Sequence, residues 1–206
     1  MTEVKDITIG HIAGIISNLI IVHSDGAVSQ NEICYVKTGD EKLLSEVIKI
    51  QDKDIYIQCF ESTRGLKVGN EVEFSRGLLE IELGPGLLEK IYDGLQNNLQ
   101  SMDSLFLKRG EYTDALNEGS RWQVKVISKI GARLRAGDWI AEVQENAIPH
   151  KIMIPFKLKG FWEVVEIVEN GEYDLRETLA TIKNEEGVTV AVNMVQKWPV
   201  KRALKT

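Results

Sequence analysis

The spacing of short apolar segments in the first third of the chain constrains the fold most strongly. Between residues 4 and 75, segments rich in β-branched and apolar side chains are separated by turn sequences such as Ser24-Asp25-Gly26. Six segments at intervals of roughly 8 to 12 residues favour a small closed barrel, because closure leaves no unpaired strand edge. We therefore predict a six-stranded β-barrel within residues 1–75. Its predicted strands are residues 7–15, 18–23, 32–36, 43–50, 55–60 and 71–74.

Gly84-Pro85-Gly86 interrupts this extended pattern and predicts the start of an α-helix, since the fixed φ of proline suits a first helical turn. Five apolar residues then recur at spacings of one, three and four, which gives a helix one apolar face. They are Leu87, Leu88, Ile91, Tyr92 and Leu95. We predict a short helical segment that joins two β-rich regions.

A second block of alternating segments follows and predicts a β-rich, barrel-sandwich-like domain. Asn170-Gly171 and the segment 184–187 are typical of hairpin turns, so each is predicted to join two paired strands. Residues 194–202 are predicted to be extended and without a partner strand. The predicted fold class is thus mainly β, with two β-rich domains joined by a short helix.

Composition excludes several classes of function. The 206 residues carry a net charge of −6, which gives no basic excess for a nucleic-acid interface. The longest apolar run, Leu19-Ile20-Ile21-Val22, is far shorter than the ~20 residues of a membrane-spanning helix. The first residues lack the pattern of a signal peptide, so a cytosolic location without direct membrane insertion is expected. Cys34 and Cys59 are predicted to be buried free thiols, with a disulfide as the alternative.

No residue set predicts a catalytic, cofactor-binding or metal-binding site. No glycine is followed directly by lysine, so the chain has no Gly-x-x-x-x-Gly-Lys-Ser/Thr phosphate loop, and Pro85 would remove a backbone donor from any loop at Gly84. His11, His23 and His150 lack the spacing of metal ligands, and no base is placed to activate either cysteine. Glu185-Glu186 fits a solvated turn, and the four tryptophans fit core or interface anchors. These are Trp122, Trp139, Trp162 and Trp198.

An alternative interpretation is a free-standing β-rich scaffold or a biotinyl or lipoyl carrier. In such carriers a lysine on a hairpin tip is loaded covalently, and Lys151 is the candidate here. Its neighbours are His150 and Ile152, whereas a carrier lysine lies between methionines or beside an acidic residue.

Four stretches, in order, resemble the catalytic A (alpha) subunit of V-type and archaeal-type rotary ATPases. Residues 82–96, which contain Gly84-Pro85-Gly86, are similar to the segment after that family's N-terminal barrel, and residues 57–66 to a strand near the barrel's end. Residues 150–155 resemble its inserted bulge domain, and residues 194–200 its return into the nucleotide-binding domain. Residues 17–23 replace the family's usual Ser-Gly-Pro opening, which suggests a bacterial V-type branch.

The resemblance implies a division of the chain into four parts. Residues 1–75 would form the barrel that joins A and B subunits in the hexamer, and residues 112–191 the bulge, a non-homologous insertion that contacts the peripheral stalk. Residues 76–111 and 192–206 would be two pieces of the nucleotide-binding domain. The chain would then be an N-terminal fragment, and Leu88, Ile91 and Leu95 would be poorly covered because the rest of that domain is missing.

The resemblance also implies the function of the intact subunit, which binds ATP or ADP with Mg and couples ATP synthesis or hydrolysis to proton or sodium transport. It would lie on the cytoplasmic face of the cell membrane. The fragment itself is expected to be inactive and to serve assembly with B subunits and stalk subunits.

Overall fold

The computed structural model describes residues 7–101 and 108–201. Residues 1–6 of the predicted barrel, 102–107 of the predicted helix-containing segment and 202–206 of the predicted return lie outside this range. The described residues divide into two compact units. The first, the barrel unit, comprises residues 7–80, 108–112 and 199–201, and the second, the sandwich unit, comprises residues 81–101 and 113–198.

The barrel unit is built from six strands that agree with the six predicted from the sequence. They are β1 (Thr8–Ile16), β2 (Leu19–Ser24), β3 (Glu32–Thr38), β4 (Glu41–Gln51), β5 (Asp54–Cys59) and β6 (Glu71–Leu78). Their order is β1-β2-β5-β4-β3-β6, and an antiparallel pairing of β6 with β1 closes the barrel. The predicted six-stranded barrel is therefore confirmed.

Alternation of inward and outward side chains fills the barrel. In β1, Thr8, Gly10 and Ile12 are buried while Ile9 and His11 are exposed, which is the period of two expected for a half-buried strand. The interior is a single apolar cluster. Its most buried side chains include Ile20, Val22, Val36, Leu43, Val47, Ile57, Val72 and Phe74.

Residues 108–112 are fastened to the outside of the barrel by hydrogen bonds. The Tyr112 hydroxyl donates to Glu61 and accepts from the backbone N–H of Leu44 at 2.8 Å. The backbone N–H of Gly110 donates to the other oxygen of Glu61 at 2.5 Å. Burial, together with the nearby Glu61 carboxylate, raises the pKa of Tyr112. This hydroxyl therefore keeps its proton and can donate it in the hydrogen bond to Glu61.

The sandwich unit consists of two four-stranded antiparallel sheets and one short strand pair. Its strands are β7 (Glu80–Leu83), β8 (Arg121–Val126), β9 (Arg133–Leu134), β10 (Trp139–Glu145), β11 (Ile148–Met153), β12 (Trp162–Ile167), β13 (Gly171–Asp174), β14 (Ala180–Lys183), β15 (Thr189–Val192) and β16 (Gln196–Pro199). The sheets have the orders β11-β10-β8-β13 and β15-β14-β12-β9, and β16 pairs with β7. The second β-rich domain is thus confirmed.

The core of the sandwich unit combines inward side chains from both sheets. Val124, Ile140 and Val143 come from the first sheet, and Val164 and Ile182 from the second. All five are at most 1% exposed. Burial of apolar side chains at this density stabilises a sandwich in which neither sheet could stand alone.

The predicted helix after Gly84-Pro85-Gly86 is wrong. Residues 84–98 form turns and a single β-bridge between Tyr92 and Asn98, followed by one short 3₁₀ turn at Leu99–Ser101. The backbone leaves helical geometry at three places, with φ of +100° at Gly86, +63° at Glu89 and +66° at Gln96. An α-helix is incompatible with these values.

Two further details of the second block differ from expectation. The hairpin predicted at Asn170-Gly171 is wrong, because β12 and β13 belong to different sheets and the segment between them crosses from one sheet to the other. Asn170 Oδ1 instead accepts a hydrogen bond from the backbone N–H of Val126 at 2.8 Å.

The hairpin predicted at residues 184–187 is confirmed by the pairing of β14 with β15. The segment predicted to lack a partner contains β16, which pairs with β7.

Candidate functional site

In the sandwich unit, one buried carboxylate accepts hydrogen bonds from the backbone of a loop that is distant in the sequence. Glu145, at the end of β10, is 3% exposed. One of its oxygens accepts from the backbone N–H groups of Gly86 at 2.6 Å and Leu88 at 3.2 Å, and the other lies 3.0 Å from Nδ1 of His150. These hydrogen bonds satisfy the buried carboxylate and fix this loop to the β10–β11 hairpin.

The glycines of Gly84-Pro85-Gly86 are required by this geometry. Gly86 has a φ of +100°, which L side chains rarely adopt. A Cβ on Gly84 would lie 3.2 Å from both Leu116 Cδ1 and the Met194 carbonyl oxygen. The two glycines therefore allow the backbone to turn and to pass close to the core residues Leu116 and Met194.

The rest of residues 81–101, here called the connecting segment, is tied down by side-chain hydrogen bonds. Asp93 accepts from the backbone N–H groups of Leu95 at 2.9 Å and Asn97 at 2.8 Å. The buried Asn97 side chain accepts in turn from the Thr113 N–H at 2.9 Å. The Tyr92 hydroxyl donates to the Ala115 carbonyl oxygen at 2.8 Å. The connecting segment is thus an ordered surface loop despite its lack of regular structure.

An ion-pair cluster holds the start of the connecting segment. The Arg176 guanidinium contacts Glu82 at 2.9 Å and also binds Glu118, while Lys197 lies 3.4 Å from Glu82. The Glu118 and Glu82 carboxylates raise the pKa of Arg176, and Arg176 in turn lowers the pKa of Glu118. The planar guanidinium can hold two carboxylates at once, which a lysine could not do as well.

This rigid backbone presents apolar side chains to solvent. Leu83, Leu88, Ile91 and Leu99 are 40–59% exposed, and Leu95 is partly buried. The expectation of exposure is therefore met for Leu88 and Ile91. Several large apolar side chains exposed along one ordered segment are consistent with an interaction surface.

The barrel unit has exposed apolar side chains of its own. Ile9, Ile16, Ile50 and Val68 are 41–68% exposed. Because the barrel is closed, it has no free strand edge, so any contact it makes has to use side chains.

Comparisons with known proteins identify both units. Residues 12–76 match the family model described as "ATP synthase alpha/beta family, beta-barrel domain", and residues 113–201 match the one described as "ATPsynthase alpha/beta subunit barrel-sandwich domain". The chain belongs to the ATP synthase alpha/beta family. The resemblance noted from the sequence is thereby confirmed.

Among curated proteins the chain is similar to V-type ATP synthase alpha chains of spirochaetes. It is 42% identical to those of Borrelia turicatae and Treponema denticola, in alignments that cover 93% and 99% of this chain. In both cases the match covers 34% of the relative. The chain therefore spans about a third of the length of these alpha/beta family members.

The structure does not bring the residues weighed from the sequence together into a chemical site. His23 Nε2 lies 2.8 Å from Asp54, His150 contacts Glu145, and His11 is exposed. Among residues 7–101 and 108–201 no three metal-ligating side chains cluster. Cys34 and Cys59 are buried free thiols, as predicted.

Lys151 does not occupy the position of a carrier lysine. It lies within β11, opposite Glu142 of the neighbouring strand β10, and forms an ion pair with that residue. Its ammonium lies 4.9 Å from the centre of the Trp139 ring. The tip of this hairpin is instead at residues 146–147. In the part of the chain that is described, no helix is long and apolar enough to cross a membrane.

Sequence reasoning missed Glu145 and Arg176. Glu145 ends a strand that contains both apolar and polar residues, and only the tertiary fold shows that its side chain binds the connecting segment. Arg176 meets Glu82 across 94 positions, so no local pattern could reveal the pair.

Proposed function

We propose that this chain is a part of the catalytic alpha (A) subunit of a bacterial V-type ATP synthase and that it serves assembly of the complex. The observation that carries the proposal is the 42% identity to V-type ATP synthase alpha chains over 93% of the chain. The predicted four-part division, with boundaries near residues 75, 111 and 191, is part of this proposal.

In this proposal the barrel unit joins alternating alpha and B subunits in the catalytic hexamer. The exposed Ile9, Ile16 and Ile50 support such contacts, because a closed barrel associates through side chains and exposed apolar groups gain most from being covered.

The connecting segment is proposed to be the surface on which the remainder of the nucleotide-binding domain packs. Leu88 and Ile91 supply apolar area, while Glu145 and Asp93 hold the backbone in place before the contact forms. Preorganisation of this kind reduces the entropy lost on association.

The sandwich unit is proposed to contact peripheral stalk subunits. The complete subunit would bind ATP or ADP with Mg, couple ATP synthesis or hydrolysis to proton or sodium transport, and lie peripherally on the cytoplasmic face of the membrane. This chain has no Gly-x-x-x-x-Gly-Lys-Ser/Thr sequence, so by itself it is expected to be inactive.

Native mass spectrometry of the chain mixed with the B subunit of the same complex tests the assembly role. We expect a 1:1 complex that Ile16→Asp weakens by about tenfold or more, since the aspartate would have to be desolvated at the interface. Ile130→Asp is the matched control, because Ile130 is similarly exposed, at 64% against 61% for Ile16, but lies in the sandwich unit. Equal effects of the two substitutions would contradict the barrel contact.

Calorimetry with Mg-ATP tests the expected inactivity of the chain by itself. We expect no heat beyond that of dilution. Tight binding would show that the chain holds a nucleotide site of its own and would contradict this part of the proposal.

A further inference from the structure

The strand β15 forms one edge of its sheet and pairs only with β14. The carbonyl oxygens of Val188 and Val192 accept from β14 and its flanks, from Asn184 at 3.0 Å and Leu179 at 2.8 Å. Because backbone groups of successive strand residues point in opposite directions, those of Thr189 and Ala191 face away from β14. Such an edge can take up another strand.

A groove of about 230 Å³ includes residues 190–192 of β15 in its lining. Asn193 also lines it, together with three residues that carry cationic side chains, Lys157, Arg176 and Lys197. No aspartate or glutamate is among the lining residues. Phe156, 40% exposed, adds an apolar wall.

The three cations differ in how far they are already neutralised. Arg176 is paired with both Glu82 and Glu118, and Lys197 lies 3.4 Å from Glu82; neither carboxylate is among the residues that line the groove. Lys157 makes no ion pair with any residue in the described ranges 7–101 and 108–201, and its side chain is exposed. Lys157 is therefore the lining cation that an incoming carboxylate would find without a carboxylate partner, and this unpaired charge favours an acidic segment over a basic one.

We propose that the β15 edge is a docking site for an extended, acidic segment of a partner protein. The segment would add a strand next to β15, exchange backbone hydrogen bonds with Thr189 and Ala191, and place a carboxylate beside Lys157. Main-chain pairing would supply affinity, and the cations would select acidic side chains. This inference goes beyond the proposed assembly role and is independent of it, because it concerns the chemistry of a partner and is tested on this chain.

The test uses a fluorescein-labelled peptide of six alternating glutamate and valine residues as the probe. Fluorescence anisotropy measures its affinity, and backbone amide shifts locate its site. We expect saturable binding that weakens with salt, and shifts concentrated at Thr189 and Ala191. The same peptide with lysine in place of glutamate should not bind.

Two matched comparisons separate strand addition from simple charge attraction. Lys157→Glu should raise the Kd by about tenfold through repulsion of the probe, while Lys159→Glu, two positions away and also exposed, should change it by less than about twofold. A probe N-methylated on every residue loses its backbone donors on both edges and should not bind, although its charge is unchanged.

Several results would overturn the proposal. They are no saturable binding at millimolar probe, shifts located away from β15, equal effects of the two lysine substitutions, or equal binding of the N-methylated probe. A second arm repeats the titration on the protein as its gene encodes it. Binding to the present chain but not to that protein would show that another part of the same polypeptide fills the groove, which would also overturn an outside partner.

Discussion

Glu145 accepts a hydrogen bond from the backbone N–H of Gly86 at 2.6 Å, although the two residues are 59 positions apart. The bond links the end of β10 to the turn that follows β7, and the same oxygen also accepts from Leu88. One buried carboxylate thus accepts two backbone N–H groups that a helix at this position would have directed elsewhere. This tertiary contact fixes the part of the connecting segment that contains Gly86 and Leu88.

Glu145→Ala should destabilise the sandwich unit markedly. The substitution leaves two backbone donors without their acceptor, and we expect the free energy of unfolding to fall by about 2–3 kcal/mol. Urea denaturation followed by tryptophan fluorescence measures this, because all four tryptophans lie in the sandwich unit. Glu185→Ala is the control and should change the free energy by less than about 0.5 kcal/mol, since that side chain is 83% exposed. Similar losses for both variants would show that Glu145 has no special role.

Gly86→Ala should destabilise the same unit through its backbone. At a φ of +100° a Cβ is strained, and we expect a loss of about 1–2 kcal/mol in the free energy of unfolding. Gly94→Ala is the matched control in the same segment, because no atom lies within 4 Å of its ideal Cβ. That variant should be neutral or more stable by up to about 1 kcal/mol, through a smaller entropy of the unfolded chain. The reverse order of the two variants would contradict the structure.

The sequence predicted the barrel well because its signal is local and repeated. Short apolar segments recur at regular intervals, turn residues separate them, and closure of six short strands follows from the need to pair every edge. The β14–β15 hairpin was predictable for the same reason, since the turn and both strands lie within thirteen residues, from Ala180 to Val192.

The connecting segment was mispredicted because a helical period in a short apolar sequence does not guarantee a helix. Leu87 packs against the sandwich core, but Leu88 and Ile91 point to solvent. Gly86 and the buried acceptor Glu145 decide the conformation, and the second of these is invisible in the local sequence. The turn at Asn170 failed similarly, because its side chain caps Val126, 44 positions away, and the strands on either side join different sheets.

Cys34 should be unreactive in the folded protein. It is fully buried, and burial raises the pKa of its thiol well above the ordinary value, with smaller contributions from Glu32 and other nearby groups. We expect iodoacetamide labelling of Cys34 at pH 8.5 to proceed only as fast as the barrel opens. Mass spectrometry of labelled peptides measures this rate, and a Val68→Cys variant, at a site 68% exposed, gives the rate of a free surface thiol. Equal rates at the two positions would contradict the burial of Cys34.

The ion pairs of Glu142 should contribute to the free energy of unfolding near neutral pH and lose that contribution in acid. Its carboxylate lies 2.8 Å from the Lys125 ammonium and also contacts Lys151, and these two hydrogen bonds lower the pKa of Glu142 to about 2. Because the folded pKa is below the ordinary value of 4.5, this contribution is complete above pH 4.5 and is lost as the pH falls towards 2. The wild-type protein should therefore lose more stability between pH 5 and pH 2 than Glu142→Gln, by the same tryptophan-monitored urea titration.

A direct measurement on the same carboxyl group completes this prediction. Carbon-13 NMR of the Glu142 side chain should show a midpoint near pH 2 in the folded protein, and Lys125→Met should move that midpoint upwards because it removes the largest cause of the shift. Lys129→Met is the control, since Lys129 is an exposed lysine near the end of the same strand and is not among the groups that shift Glu142. A midpoint at pH 4 or above in the wild-type protein would show that the Lys125–Glu142–Lys151 ladder does not persist in solution.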